Sequence, residues 1–379
     1  MFDRPEGGDA AVLVSVDFGD PDYADSLEEL RHLVTSAGLE VRGVVEGKRS
    51  KPDAALFVGT GKAEEIIARL RETDSQVAVF NHELSPAQQR NLEKQLDCRV
   101  ADRTGLILEI FAQRAKSFEG KLQVELAQME HLATRLVRGW THLERQKGGI
   151  GMRGGPGEKQ LELDKRLINQ RVKILKEKLA KLGRQRGMQR RARRRSGVLS
   201  VSLVGYTNAG KSTLFNRLTQ SGAYAADQLF ATLDTTSRKL YIPECGQVVI
   251  SDTVGFIRHL PHTLVEAFSA TLEEAVEADL LLHVVDVASP AREEQMVAVD
   301  QVLGEIGAGQ VPQLLVMNKI DAAGMPAGLE RDEHGRIRKV WVSAREGVGL
   351  DMIRQALAEL HQAQSQFRQT EAAETEASE

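Results

Sequence analysis

The 379-residue sequence contains only two cysteines and no long apolar run. Cys98 and Cys245 do not make a disulfide framework, and neither has the spacing of a metal ligand. No stretch approaches the roughly 18 consecutive apolar residues that a membrane span needs, so we expect no span. The N-terminus has acids where a signal peptide needs bases. These absences exclude several classes and favour a protein of the reducing cytoplasm.

What is present is the composition of a soluble globular protein, with 41% hydrophobic and 27% charged residues. The length is too great for one ordinary core and predicts two or three domains. The formal charge of -4 hides an asymmetry. Residues 184–195 hold seven arginines and no acid, and are either a solvated helix end or a polyanion-binding segment. Residues 366–379 are acidic and predict a disordered tail.

Residues 1–115 alternate short β-rich runs with helical ones. This alternation predicts a small α/β domain with a partly parallel sheet. The predicted strands are 11–18, 40–45, 54–59 and 76–81, and the predicted helices are 26–38, 63–72, 85–96 and 104–115.

Residues 116–197 carry two heptad seams, which predict two long helices. Six glycines from Gly148 to Gly157 separate the seams, and glycine at that density does not continue a helix. We therefore predict a long antiparallel helical hairpin, whose loop bears Lys147, Arg153 and Lys159. The first seam is Leu122, Leu126, Met129, Ala133, Leu136, Trp140 and Leu143, and the second is Ile168, Val172, Leu175, Leu179 and Leu182.

Residues 198–365 contain near-continuous apolar runs of strand length. Such runs are typical of strands buried on both faces of a parallel sheet that helices cover, so the fold class is α/β. The runs are 199–205, 246–252, 280–287, 312–318 and 339–344, and the predicted helices are 211–220, about 261–278, 292–307 and 349–364.

The segment 205–212 matches G-x-x-x-x-G-K-[ST] and lies between a predicted strand and a predicted helix, the context that a P-loop requires. Its backbone N–H groups would cradle phosphates. Lys211 would reach the β- and γ-phosphate oxygens, and the Ser212 hydroxyl would ligate Mg²⁺. The loop consists of Gly205, Tyr206, Thr207, Asn208, Ala209, Gly210, Lys211 and Ser212.

A D-x-x-G motif follows the next buried run. It consists of Asp252, Thr253, Val254 and Gly255. The aspartate can hold Mg²⁺ through water, and the glycine lets its N–H approach a γ-phosphate. Alone the motif is weak evidence for nucleotide binding, but its position at the end of the next buried strand after a P-loop makes the evidence strong.

Two later motifs predict recognition of guanine. The Asp321 carboxylate can accept hydrogen bonds from the ring N–H and the exocyclic amine of guanine. Adenine offers an acceptor instead of that N–H, and an unpaired buried carboxylate costs at least ~1–3 kcal/mol. Asn318 and Lys319 would brace the base and the loop. The motifs are Asn318, Lys319, Ile320 and Asp321, and then Ser343, Ala344 and Arg345, whose N–H groups would lie near the guanine oxygen.

A loop after the P-loop helix offers a threonine that could complete the Mg²⁺ shell when a third phosphate is present. Spacing alone leaves Thr232, Thr235 and Thr236 nearly equal. The segment concerned is Phe230, Ala231, Thr232, Leu233 and Asp234.

These motifs resemble the translation-factor-related GTPases and, more narrowly, the HflX family. The narrower resemblance rests on GYTNAGKSTLFN, LFATLDTT, DTVGFI and NKID, and above all on GGIGMRGGPGEKQLELDKR at 148–166. It covers roughly residues 10–365. It implies hydrolysis of GTP to GDP with Mg²⁺ held by Ser212 and Thr232, and catalysis by Lys211, Thr232 and Gly255.

The resemblance also implies a partner. Members of the HflX family bind the large ribosomal subunit and its rRNA and dissociate idle or stalled ribosomes, with the hairpin directed toward the peptidyl-transferase region. We expect the arginine run to contact rRNA and the protein to be a monomer. The family often has a further C-terminal domain, whereas here only a helix ending near Gln364 and the acidic tail are predicted.

Two residues bear on the rate. Many GTPases have a glutamine after D-x-x-G that orients water, but here the residue is Phe256, so intrinsic hydrolysis should be slow without a partner. Asn208 either braces the P-loop or, as in related GTPases, helps to hold a K⁺ ion.

Three other functions remain open. One is a regulatory switch whose hairpin binds a protein, and another is nucleotide binding without turnover. The third is ATP-driven RNA remodelling by the N-terminal domain. There, residues 59–62 form a phosphate-like loop, which we interpret as a tight strand-to-helix turn.

Overall fold

The computed structural model describes residues 10–139, 156–195, 198–220, 228–258, 260–261, 264–265 and 268–376. The chain divides into two compact units, residues 1–180 with 261–267, and residues 181–260 with 268–379. No helix in the described part is long and apolar enough to cross a membrane. Cys98 and Cys245 are free thiols, as predicted.

The first unit is built on a four-stranded sheet of order β2-β1-β3-β4, in which all strands are parallel. The sheet is thus more regular than the partly parallel one predicted. Its elements are β1 (Ala10–Asp17), α1 (Tyr23–Ser36), β2 (Glu40–Lys48), α2 (Thr60–Glu72), β3 (Val77–Phe80), α3 (Pro86–Leu96), β4 (Arg99–Asp102) and α4 (Arg103–Arg114).

The strand predicted at 54–59 is wrong. The Asp53 carboxylate accepts hydrogen bonds from the N–H groups of Ala55 (2.8 Å) and Leu56 (2.9 Å), which folds the segment into a turn. Phe57 has a left-handed φ of 64° and is buried in the core. The fourth strand is β4 instead, a four-residue strand that was not predicted.

Two long helices follow, α5 (Phe118–Gly139) and α6 (Pro156–Arg195). Of the ten seam residues that the structure describes, Leu122, Leu126 and Leu175 are buried and the other seven are half-buried. The predicted glycine-rich loop lies mostly outside the described residues, as do Trp140 and Leu143.

The direction of α5 against α6 stays a prediction. Two ion pairs join the helices, Glu125 with Arg171 (2.5 Å) and Glu130 with Lys176 (2.8 Å). From the first ion pair to the second, the residue number rises by five on both helices. In an antiparallel pair the number would rise on one helix and fall on the other, so these ion pairs do not show the register expected of an antiparallel hairpin.

The second unit is built on a seven-stranded sheet of order β10-β11-β9-β8-β5-β7-β6, parallel except for the pairs β6–β7 and β10–β11. The central strands are the predicted apolar runs and form the core with α7 and the last helix. The elements are β5 (Leu199–Gly205), α7 (Lys211–Thr219), β6 (Thr236–Ile242), β7 (Gly246–Asp252), α8 (Ser269–Val276), β8 (Leu280–Asp286), α9 (Arg292–Glu305), β9 (Gln313–Asn318), α10 (Ile320–Ala323), β10 (Gly328–Arg331), β11 (Ile337–Trp341) and α11 (Leu350–Glu376).

The last helix corrects a prediction. We expected a helix ending near Gln364 and a disordered tail, but α11 is helical through Glu376. The added residues are mostly Gln, Ala and Glu, which have high helix propensity. This propensity explains why the segment is helical although its sequence offers no apolar stripe.

Candidate functional site

A tight loop joins β5 to α7 in the second unit. Gly205 has a φ of +146°, and a Cβ there would collide with the carbonyl oxygen of Val284. Gly210 has a φ of +95°, and a Cβ there would collide with the side-chain amide of Asn318. Both positions therefore require glycine, and the loop takes the course that a P-loop needs.

Lys211 is the buried cation of this loop, with 6% of its surface exposed. Its Nζ donates to the carbonyl oxygens of Gly205 (3.0 Å) and Tyr206 (2.7 Å). Burial lowers the pKa of the Lys211 ammonium, the Asp252 charge opposes this and the Lys319 charge adds to it, and the pKa falls to about 8. An anion brought here would be strongly favoured.

Three oxygen-bearing side chains meet beside Lys211. The Ser212 and Thr232 hydroxyls are 2.7 Å apart, and Thr232 donates to Asp252 Oδ2 at 2.9 Å. Asp252 is 1% exposed, and its Oδ1 has no hydrogen-bond partner within the described residues. Burial raises the pKa of the Asp252 carboxyl, although hydrogen bonds from Ser212 and Thr232 and the charge of Lys211 oppose this.

This arrangement fits Mg²⁺. Mg²⁺ prefers oxygen ligands and usually keeps several waters, and an unpaired buried carboxylate oxygen can accept from one of them. Two of the three candidate threonines differ in position, because Thr232 bonds to Ser212, whereas Thr236 begins β6. The metal-binding role of Thr232 stays a prediction. The described residues hold no cluster of three His, Cys, Asp or Glu side chains, so the site is not an all-protein metal cage.

The D-x-x-G segment is paired to the phosphate loop. Phe256 N–H donates to Gly205 O (3.1 Å), and Thr207 N–H donates to Phe256 O (2.7 Å). A Cβ on Gly255 would lie 2.9 Å from Thr207 and 3.0 Å from Lys211 Nζ. Only glycine allows this close approach.

Asn318 joins the phosphate loop to the third motif. Its Nδ2 donates to Ala209 O (2.8 Å), and its Oδ1 accepts from Ala344 N–H (2.9 Å). The residue is 2% exposed. One side chain thus joins the two loops, while the role predicted for Asn318 toward the base stays a prediction.

The base-recognition candidates are held by their neighbours. Ser343 Oγ donates to Asp321 Oδ1 (2.7 Å), which orients that carboxylate. Lys319 has a φ of +68°, and its Nζ forms an ion pair with Asp286 (2.7 Å). Arg217 on α7 is a further anchor. It donates to the carbonyl oxygens of Ala344 (3.1 Å) and Arg345 (2.5 Å), which holds the loop that follows β11.

A cleft with about 410 Å³ of empty space lies at the phosphate end. Two of its residues, Thr213 and Gln228, were not predicted, since neither belongs to a motif. The lining residues are Thr207, Asn208, Gly210, Lys211, Ser212, Thr213, Gln228, Phe230, Ala231, Thr232, Thr253 and Gly255.

Some predicted residues have other positions. Leu233, Val254 and Ile320 are buried core side chains rather than parts of the cleft lining. Asn208 is exposed with a left-handed φ of 61°, a conformation that asparagine tolerates, and its K⁺ role stays a prediction.

Comparison with known proteins agrees with this geometry. The family models described as GTP-binding GTPase N-terminal, GTP-binding GTPase Middle Region and 50S ribosome-binding GTPase match residues 24–112, 114–193 and 200–319. A GTPase HflX of Escherichia coli K12 is 55% identical over 360 residues, which are 95% of this chain and 84% of that protein. The chain belongs to the HflX GTPase family.

A second HflX relative, from Magnetococcus marinus, is 52% identical over 337 residues, 89% of this chain and 77% of that protein. Among solved structures, one described as SsGBP in complex with GDP covers 94% of this chain and 99% of its own, with a TM-score of 0.51 and 23% identity. That likeness concerns the fold. As an HflX-family GTPase, the chain is a GTP-hydrolysing enzyme that binds guanine nucleotides.

Proposed function

We propose that this GTPase binds the large ribosomal subunit when GTP is bound and dissociates idle or stalled ribosomes into subunits. GTP hydrolysis would then release the protein in the cytoplasm. The match of residues 200–319 to the family described as 50S ribosome-binding GTPase carries the proposal.

The chemistry is mainly positioning and charge stabilisation. In our proposal, Lys211 neutralises the β- and γ-phosphate oxygens, and the loop amides from Gly205 onward cradle the phosphates. Lys211 lies against the Asp252–Gly255 segment, and its ammonium is desolvated there. This supports the role, because the attraction between the ammonium and a phosphate is stronger where water is excluded.

Mg²⁺ would be held by Ser212 and Thr232, with Asp252 acting through water. Bound there, the metal neutralises charge that develops on the phosphate oxygens. The hydrogen bonds among the three residues support the assignment, because they bring the required oxygens together. The loop around Thr232 would become more ordered with GTP and less so after hydrolysis.

Guanine selectivity would come from Asp321, oriented by Ser343. The Ala344 and Arg345 N–H groups would lie near the guanine oxygen, as expected from the sequence. The hydrogen bonds from Arg217 to the carbonyls of these two residues support this, since they fix the loop.

Contact with rRNA would come from the helical segment. Helix α6 holds fifteen Lys or Arg residues and four Asp or Glu residues. This excess of positive charge favours a polyphosphate partner, and the affinity of such a contact falls steeply with salt. The glycine-rich segment before α6 would enter the peptidyl-transferase region.

Sedimentation of ribosomes tests the proposal. Ribosomes mixed with the protein and GTP should shift toward separate subunits, and a Lys211→Ala variant should not produce the shift. Purified large subunits should also raise GTP turnover many-fold. Unchanged ribosomes together with unchanged turnover would reject the proposal while leaving the GTPase intact.

A charge pair tests the rRNA contact. Lys181→Gln with Arg184→Gln removes two exposed charges from α6, whereas Arg336→Gln with Arg338→Gln removes two exposed charges near β11. The first pair should weaken binding to large subunits and reduce its salt dependence by a slope of about 1–2. The second pair is the control. Equal effects, or binding that ignores salt, would favour a protein partner.

A further inference from the structure

GTP hydrolysis needs a group that holds the attacking water, and Phe256 does not supply one. Its side chain is 1% exposed, packs in the core and does not line the phosphate cleft. Its backbone N–H and carbonyl are bonded to Gly205 and Thr207. For hydrolysis by the protein alone, the group that holds the water has to come from another residue of the cleft; a partner could supply one only when bound.

Three hydroxyls of the cleft already have partners. Ser212 and Thr232 bond to each other, and Thr232 also donates to Asp252. Thr253 Oγ1 donates to Leu203 O at 2.6 Å. These groups hold the metal site or the strand, so none of the three is free to take a further ligand without a change.

Thr207 differs from these three. It is 6% exposed and lines the cleft, and its Oγ1 is buried without a hydrogen-bond partner in the part of the chain that the structure describes. An unpaired buried hydroxyl destabilises a fold, so threonine here is worse for stability than an apolar residue of the same shape. A ligand that bonds to the hydroxyl would remove this cost.

The neighbours of Thr207 indicate which part of a bound nucleotide would lie beside it. The Cβ position of Gly255 lies 2.9 Å from Thr207 Cγ2 and 3.0 Å from Lys211 Nζ, so the three residues converge on one point. Lys211 and the Gly255 N–H are the groups expected on the γ-phosphate. Thr207 therefore lies beside the groups expected on the γ-phosphate, with its Cγ2 methyl toward Gly255. A rotation about χ1 would bring Oγ1 to the same side.

We infer that the Thr207 hydroxyl is a catalytic residue, which accepts a hydrogen bond from the attacking water and holds it in line with the γ-phosphorus. The water oxygen bonds to the γ-phosphorus while the bond from that phosphorus to the β–γ bridging oxygen breaks. The bridging oxygen leaves with GDP, and the proton that water loses goes to the phosphate product. This step belongs to GTP hydrolysis and does not depend on the ribosome proposal.

Two matched variants test the inference in the absence of ribosomes. Thr207→Val removes the hydroxyl at nearly constant volume, whereas Thr207→Ser keeps it. Single-turnover cleavage of GTP should slow at least about tenfold in the valine variant, with GTP affinity changed less than about threefold. The melting temperature should not fall, because an unpaired polar atom has been removed. The serine variant should keep most of the cleavage rate.

Other results overturn the inference. Equal cleavage rates in the valine variant and the unmodified protein would show that the hydroxyl does not act on the water. A loss seen wholly in GTP affinity would show ground-state binding instead. A serine variant as slow as the valine variant would point to packing. All three can be measured whether or not ribosomes are split.

Discussion

Lys211 shows how one residue can be costly to the fold and useful to the site. Its ammonium is buried against two backbone carbonyls, and its pKa falls to about 8 because burial removes water from the charge. Below that pH the cost of the buried charge is fully present. Between about 8 and the ordinary value of 10.5 the unfolded chain binds the proton more tightly, so this contribution to stability improves as pH rises.

The same shift predicts a pH dependence of GTP binding. Phosphates favour the protonated Lys211, so binding above the free pKa requires uptake of a proton. The apparent Kd for GTP should therefore rise about fivefold from pH 8 to pH 9 and change little from pH 6.5 to 7.5. Calorimetry in buffers of different ionisation enthalpy would count the proton. A flat Kd across pH 7–9, with no proton taken up, would contradict a titrating Lys211.

Helix α5 shows how a single carboxylate can position an element. Asp102 ends β4 and is 1% exposed. Its Oδ1 accepts from Gly105 N–H (2.8 Å) and caps α4. Its Oδ2 accepts from Leu84 N–H (3.2 Å) and from Arg135 of α5 (2.6 Å). The long helix is thus fixed to the carboxyl edge of the sheet by a buried ion pair.

This ion pair predicts unequal effects of two similar substitutions. Arg135→Met leaves the Asp102 charge buried without its cation, so it should cost about 2–4 kcal/mol of unfolding free energy. Arg171→Met breaks the exposed pair with Glu125 and should cost at most about 1 kcal/mol. Urea denaturation with hydrogen exchange in α4 and α5 measures both. If the two variants lost equal stability, the anchoring role of Asp102 would be wrong.

The elements were predicted well wherever local chemistry determined them. Ser85 caps α3 with Gln88, and the apolar runs of the second unit form its central strands. The turn at 54–59 was missed because the Asp53 side chain accepts a hydrogen bond from the Ala55 N–H. This local contact favours a turn over the strand that the apolar residues predicted. Contacts such as Arg217 with the Ala344 carbonyl join distant segments, so no spacing in the sequence reveals them.

At the scale of the whole molecule, one helix passes from the first compact unit into the second. The division between the units falls between residues 180 and 181, inside α6. The sequence placed two long helices here but not their register. Two glycines, Gly183 and Gly187, lie in the part of α6 within the second unit, and a Cβ on either would meet no atom within 4 Å.

The continuity of α6 predicts opposite results for two substitutions at one position. Gly187→Ala should stabilise the helix by about 0.5–1 kcal/mol and keep turnover stimulated by large subunits. Gly187→Pro should interrupt the helix at a cost of about 3 kcal/mol. It should keep basal GTP turnover, because the nucleotide site lies elsewhere in the fold, and lose the stimulation. Circular dichroism and phosphate release measure the two effects, and stimulation that survives the proline would mean that an unbroken α6 is unnecessary.

Asn318 constrains how this enzyme could diverge. Its single amide holds the phosphate loop through Ala209 and the base-side loop through Ala344. A substitution of Asn318 that allowed another base to bind would also remove the hydrogen bond to Ala209 and so loosen the phosphate loop. A change of nucleotide specificity should therefore begin at Asp321, because its substitution keeps both hydrogen bonds of Asn318.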